Sequence, residues 1–216
     1  MKIYFISGLG ANRKAFDGLV IPQDFEPVFL DWKRPEQNES LEHYTYRMAE
    51  KITPNEQFHL VGLSFGGILA QEMNAFLNPE KTILISTIRS RTEMPKYMKL
   101  SSKTAIHKAI PMRFFTSDKA LSYSFFRNLY DPRMPKLNAY FTEKDPYYLS
   151  WSINKIVNWT PKQSDIHNLH RMHGDKDIVF PVNFIKNADI VKNGTHVMII
   201  QKAKAVNNLF HKYLTE

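Results

Sequence analysis

Residues 58–77 constrain this chain more than any other stretch. Phe58, His59, Leu60 and Val61 form an apolar run that reads as a buried strand, and Gly62-Leu63-Ser64-Phe65-Gly66 follows it. Ile68, Leu69, Glu72, Met73, Phe76 and Leu77 then recur at helical spacing. Glycines two residues to either side of Ser64 give the backbone room for a sharp strand-to-helix turn that would carry the serine at its apex. A serine between two glycines also fits a plain turn. The strand before it and the helix after it favour the strained elbow, in which the Phe65 N–H points where an oxyanion would form.

The chain has 216 residues, 43% of them hydrophobic and 13% aromatic, enough for one well-buried core, so a single domain over 1–216 is expected. Its apolar stretches are strand-sized, well short of the roughly 20 residues that span a bilayer, so no membrane span is expected. Lys2 precedes an apolar run too short for the core of an export signal, and a cytoplasmic location is the expectation. The absence of cysteine excludes disulfides, thiolate metal sites and cysteine nucleophiles. A formal net charge of +8 suits an anionic partner, but the lysines and arginines are scattered and no nucleic-acid motif accompanies them. A solvated basic surface is the expectation, with no nucleic acid as partner.

Residues 2–7 read as a strand that runs into Gly8-Leu9-Gly10-Ala11-Asn12. As a dinucleotide loop this segment fails at Arg13, where a third glycine or alanine belongs, so no cofactor is expected. As the loop that supplies the second oxyanion donor it fits, with Leu9 as the candidate. Residues 25–30 read as a second strand. Ser40 then caps a helix carrying Leu41, Tyr44, Met48 and Ile52, which Thr53-Pro54 stops. After Asn78-Pro79 ends the elbow helix, residues 82–86 are the next strand. This alternation predicts a parallel sheet with helices on both faces.

Over residues 89–161 the rhythm is lost. Prolines stand at positions 95, 111, 132, 135, 146 and 161 amid Met, Lys, Phe and Tyr. A helical insertion is expected there, with helices over 119–130 and 146–158, placed to cover Ser64 and to form an apolar pocket. Its Lys96, Lys99, Lys103, Lys108, Arg113 and Lys119 serve either solubility or attraction toward an anionic acyl carrier.

The rhythm resumes at 166–181, where a strand ends at Gly174 and Asp175 and Asp177 follow. Pro181 is expected to open a helix through 186. A short strand over 189–192, the loop Asn193-Gly194-Thr195-His196 and a C-terminal helix over 199–214 complete the chain. His167, His170 and His173 crowd the strand before the two aspartates, but positions 167 and 173 lie too far apart for one ion at roughly 3.3 Å per residue, so no metal is expected.

These segments together resemble a small α/β-hydrolase over essentially the whole chain, opening at what corresponds to that family's third strand. Gly62-Leu63-Ser64-Phe65-Gly66 matches the family's elbow, His173-Gly174-Asp175-Lys176-Asp177 with Pro181 resembles its acid loop, and Gly194-Thr195-His196 resembles its histidine loop. The order nucleophile, acid, base is the family's own. The resemblance implies a mostly parallel sheet of about six strands flanked by helices, with 89–161 as a lid. It also implies Ser64 as nucleophile, His196 as base, Asp177 rather than Asp175 as the acid that orients it, and the Leu9 and Phe65 N–H groups as oxyanion hole. Ser7-Gly8 stands where the family has His-Gly.

A serine is a poor nucleophile unless a histidine takes its proton, and the histidine must be held in one tautomer by a buried carboxylate. The activity implied is hydrolysis of a small carboxyl ester or acyl thioester through an acyl-enzyme (esterase or thioesterase, EC 3.1). A non-catalytic binding protein of this fold, and haloperoxidase or lyase chemistry on it, stay open because fold and triad do not separate them.

Overall fold

The computed structural model of the protein describes residues 1–53, 56–108, 117, 119, 138–163 and 165–216. Six strands form one sheet in the order β2-β1-β3-β4-β5-β6: β1 (Lys2–Ile6), β2 (Glu26–Leu30), β3 (Phe58–Leu63), β4 (Lys81–Ile85), β5 (Leu169–Gly174) and β6 (Asp189–Val191). Every neighbouring pair is parallel. A parallel sheet needs apolar cover on both faces, and the strands supply it by alternation. Tyr4, Ile6, Leu60 and Leu84 join a core with Tyr44 and Met48 of α1 (Leu41–Met48) and with Phe65, Ile68 and Met73 of α2 (Phe65–Met73). Ile3, Phe5, Val61, Ile83 and Ile85 face the opposite core, which α5 (Met198–Gln201) and α6 (Ala203–Thr215) cover through Met198, Val206 and Phe210.

Between β4 and β5 lie α3 (Lys96–Thr104) and α4 (Pro146–Asn158), which pack on one another. The α4 helix has the expected bounds. Asp145 caps it by accepting from the Tyr147 N–H at 2.9 Å, and Pro146 opens it. Its buried Trp151 and Ile156 join the same core as α2. The helix expected over 119–130 lies outside the described residues, apart from Lys119 alone. Ser40 caps α1 as expected, accepting from the His43 N–H at 3.0 Å.

Three local expectations need correction. The elbow helix ends at Met73, because Asn74 turns its side-chain amide onto the Ala70 carbonyl and onto Thr82 of β4, so Phe76 follows in a turn and Leu77 in the loop after it. Pro181 opens only a 3₁₀ turn over Val182–Phe184, because the Lys186 N–H and carbonyl are drawn to Glu93 and Arg171 and the segment cannot continue as a helix. The expected C-terminal helix is two helices broken at Lys202, whose φ of −123° and ψ of 35° lie outside the helical region.

The strand order reverses direction at β1, so β1 and β3 flank a topological switch point, and the crevice beyond their carboxyl ends is where such sheets bind ligands. The Gly8–Gly10 loop leaves β1 there and the elbow leaves β3 there. No helix among the described residues is long and apolar enough to cross a membrane.

Candidate active site

Ser64 sits at the junction of β3 and α2 with φ 53° and ψ −117°, a conformation that costs a non-glycine residue about 1–3 kcal/mol and persists only when its surroundings impose it. Gly66 shows what imposes it. A Cβ there would come within 2.2 Å of the Ile6 carbonyl oxygen, so the first turn of α2 lies directly against the end of β1 and only a glycine admits that approach. The Ser64 N–H donates to Ile85 O at 2.9 Å and its carbonyl accepts from the Gly67 N–H at 2.9 Å, locking both sides of the turn.

Two loops from the far side of the sheet reach this serine. Gly174 ends β5 against the His196 loop so closely that a Cβ would stand 2.2 Å from Gly194 O, and the Lys176 N–H donates to that same oxygen at 2.8 Å. The loops are thereby held together, and His196 Nδ1 lies 2.8 Å from Asp177 Oδ2. On its other side His196 Nε2 lies 2.9 Å from Ser64 Oγ. Asp177 is buried, and its Oδ1 accepts from the Val179 and Phe180 N–H groups at 2.8 and 2.9 Å. Burial alone would push its carboxyl pKa up, but His196 and the hydrogen bonds from His173 and His196 outweigh it and hold the group well below the usual carboxylate range. With a carboxylate at Oδ2, His196 carries its proton on Nδ1 and presents a bare Nε2 to the serine hydroxyl.

The structure therefore brings Ser64, His196 and Asp177 into one chain of hydrogen bonds. Asp175, the rival acid, makes no such contact, and its Oδ1 is buried without a hydrogen-bond partner among the described residues. The Gly8 loop lies beside the elbow, since a Cβ on Gly8 would be 3.4 Å from Ser64 Cβ. Neither the Leu9 nor the Phe65 N–H donates a hydrogen bond to another described residue. A cavity of about 550 Å³ opens onto Ser64 and His196, walled mainly by apolar side chains including Leu9, Leu149, Ile153, Ile156 and Val179.

A further histidine belongs to the site. His173 Nε2 lies 2.7 Å from Phe180 O and 3.3 Å from Asp177 Oδ2; both are acceptors, so Nε2 carries the proton and the ring supports the carboxylate opposite His196. In sequence His173 stands as the first residue of the acid-loop motif and as a rejected metal ligand, with no role of its own beside Asp177. Its signal was there in the spacing of four between His173 and Asp177. His170 instead stacks on Tyr213, with ring centroids 4.7 Å apart. Among the described residues the group whose ligand atoms cluster tightly enough for a metal is Glu36, Glu39 and His43, and Arg47 already pairs with both carboxylates at 3.1 and 3.0 Å.

No protein-family model and no curated protein matches the sequence. Solved structures do match in three dimensions. A hydrolase from Pseudomonas aeruginosa PA01 superposes with a TM-score of 0.75 at 16% identity, covering 100% of this chain and 90% of that one. A thermophilic esterase from Thermogutta terrifontis gives 0.75 at 13%, covering 100% and 89%. A bromoperoxidase from Bacillus anthracis gives 0.63 at 15%, covering 100% and 92%. Parallel strands in this order, a serine at the strained β3–α2 turn and a likeness that spans the whole chain lead to one assignment: the protein has the α/β-hydrolase fold.

Proposed function

We propose that the protein is a serine hydrolase that cleaves a small carboxyl ester or acyl thioester through an acyl-enzyme on Ser64. The observation that carries this reading is the Ser64 Oγ, His196, Asp177 chain, with links of 2.9 and 2.8 Å, built on a serine at φ 53°. The esterase and hydrolase names of structural neighbours agree with it.

In this mechanism His196 Nε2 takes the hydroxyl proton as Ser64 Oγ adds to the substrate carbonyl. Asp177 keeps Nδ1–H in place and stabilises the imidazolium that forms. The negative charge that develops on the carbonyl oxygen is met by the N–H groups of Leu9 and Phe65. Collapse breaks the bond to the leaving alcohol or thiol, which departs with the proton from His196. Water then repeats the sequence, its proton going to His196 and the acyl group leaving as the acid. Within the insertion at 89–161, α3 and α4 act as a lid over the site. The apolar wall contributed by Leu149, Ile153 and Ile156 of α4 suits a neutral, apolar acyl group.

The test is a panel of p-nitrophenyl esters and acyl thioesters, run beside a halogenation assay and carbon–carbon cleavage substrates. Hydrolysis is expected, with Ser64→Ala lowering kcat about 10³-fold or more while the circular dichroism spectrum is unchanged. A Ser64→Ala enzyme that hydrolyses at the wild-type rate would overturn the assignment. Folded protein whose Ser64 fails to react with a fluorophosphonate would point to a binding role instead.

A further inference from the structure

Trp32 lies in the loop after β2, outside the triad, and touches both halves of the oxyanion site. Its Nε1–H donates to Gly8 O at 3.1 Å and to Ala11 O at 2.9 Å. Its ring lies parallel to that of Phe65, with centroids 5.4 Å apart and planes 10° apart. Tyr148 of α4 closes on the same indole at 5.5 Å.

The Gly8 carbonyl and the Leu9 N–H belong to one peptide unit. That unit is planar and trans, so its C=O and N–H point in opposite directions, and fixing one aims the other. Gly8 O is held twice, by Trp32 Nε1–H and by the Ala11 N–H at 2.9 Å. Ala11 O is held by the same indole and by the Ser7 hydroxyl at 2.6 Å. Two glycines flank Leu9, and without such restraints the Gly8–Leu9 peptide could rotate at little steric cost. An amide whose carbonyl already accepts hydrogen bonds is also polarised toward stronger donation from its N–H. The same indole plate backs the Phe65 ring, whose own N–H is the other donor.

We infer that Trp32 is the positioning residue of the oxyanion hole, orienting the Leu9 N–H through the Gly8 carbonyl and seating Phe65 by stacking. This rests on the serine-hydrolase reading given above. Trp32 does not touch the reacting atoms. Its effect falls on the tetrahedral state, where charge develops, and not on ground-state binding in the apolar cavity.

Two variants separate the N–H from the ring: Trp32→Phe, which keeps an aromatic plate, and replacement by β-(3-benzothienyl)alanine, which keeps the bicyclic shape and substitutes sulfur for N–H. The assays are steady-state hydrolysis of a p-nitrophenyl ester and inhibition by an alkylboronic acid, whose adduct with Ser64 places a negative tetrahedral centre in the site. For both variants we expect kcat to fall about 10- to 100-fold with KM within about twofold, and the boronate Ki to rise by a similar factor. A role confined to packing would lower the melting temperature of Trp32→Phe, spare the benzothienyl protein and leave the ratio of Ki to KM unchanged. That result, or wild-type kcat in the benzothienyl protein, overturns the assignment of Trp32 while the hydrolase reading stands. A wild-type protein that neither turns over the ester nor binds the boronate overturns both.

Discussion

Removing the charge of Glu93 tests how the site is anchored from behind. Glu93 and Arg171 are buried, their side chains 5% and 4% exposed, and they meet in a two-pronged contact of 3.0 and 2.7 Å. Glu93 also accepts the N–H groups of Arg89 at 2.7 Å and Lys186 at 3.1 Å, and Arg171 donates to Lys186 O and Thr87 O. One ion pair therefore ties the root of the insertion and the segment that follows Asp177 to β5. Glu93→Gln leaves a guanidinium buried without a counter-charge, which costs about 3–5 kcal/mol, and Arg171→Met leaves a carboxylate in the same state. In the double variant neither charge is buried. What remains is the loss of hydrogen bonds to backbone groups, about 1–3 kcal/mol for each one left unsatisfied. Measured by urea denaturation, a loss of about 4 kcal/mol with a slope near 2.5 kcal/mol per molar moves the midpoint down by about 1.5 M. The double variant should be less destabilised than the sum of the singles by at least about 2 kcal/mol. Single variants that each cost under about 1 kcal/mol, or losses that simply add, would refute the view that the two charges depend on one another.

The acid is assigned by a pair of isosteric changes. Asp177→Asn should lower kcat about 10⁴-fold, the size known for the equivalent change in serine proteases, because the amide no longer holds His196 in the right tautomer. Asp175→Asn should stay within a few-fold, and the reverse pattern in ester hydrolysis would move the role to Asp175. His59 gives a stability test. Burial, with Lys81 adding to it, pushes its pKa down to about 4, and its buried Nδ1 has no hydrogen-bond partner among the described residues. Between that value and an unfolded value of about 6.5 the unfolded chain holds a proton the folded one lacks, so stability rises with pH across this window and is lost as pH falls through it. Urea midpoints at pH 4.5 and 7.5 should differ less in His59→Gln than in the wild type, and an equal difference would remove His59 from the account.

What could be read from the sequence is what lies close along the chain. The elbow was legible because strand, turn and helix are contiguous over 58–73, and α4 was legible because its cap, proline and apolar stripe follow one another within 145–158. The group Ser64, Asp177 and His196 was legible only through a resemblance in order, since periodicity alone cannot bring residues from β3, β5 and a later loop together. Glu93 shows the limit. In the structure it is a buried acid paired with Arg171, 78 positions away. Trp32 was invisible for the same reason, because it acts through backbone carbonyls that only the folded chain places beside it. The stop at Phe184 likewise follows from a contact with Glu93, which no local helix signal at Pro181 could reveal.

The strand order also sets which strands stand at the rims of the sheet. Among the described residues, β2 and β6 are the two rims of the sheet, and each is a poor template for another chain. Pro27 removes one amide donor from β2 and the exposed Glu26 puts a charge beside it, while β6 offers only Asp189–Val191. Replacing Pro27 by valine would restore the missing amide donor to the first rim, and edge-to-edge self-association is the expected outcome, read as a shift to larger species in size-exclusion chromatography.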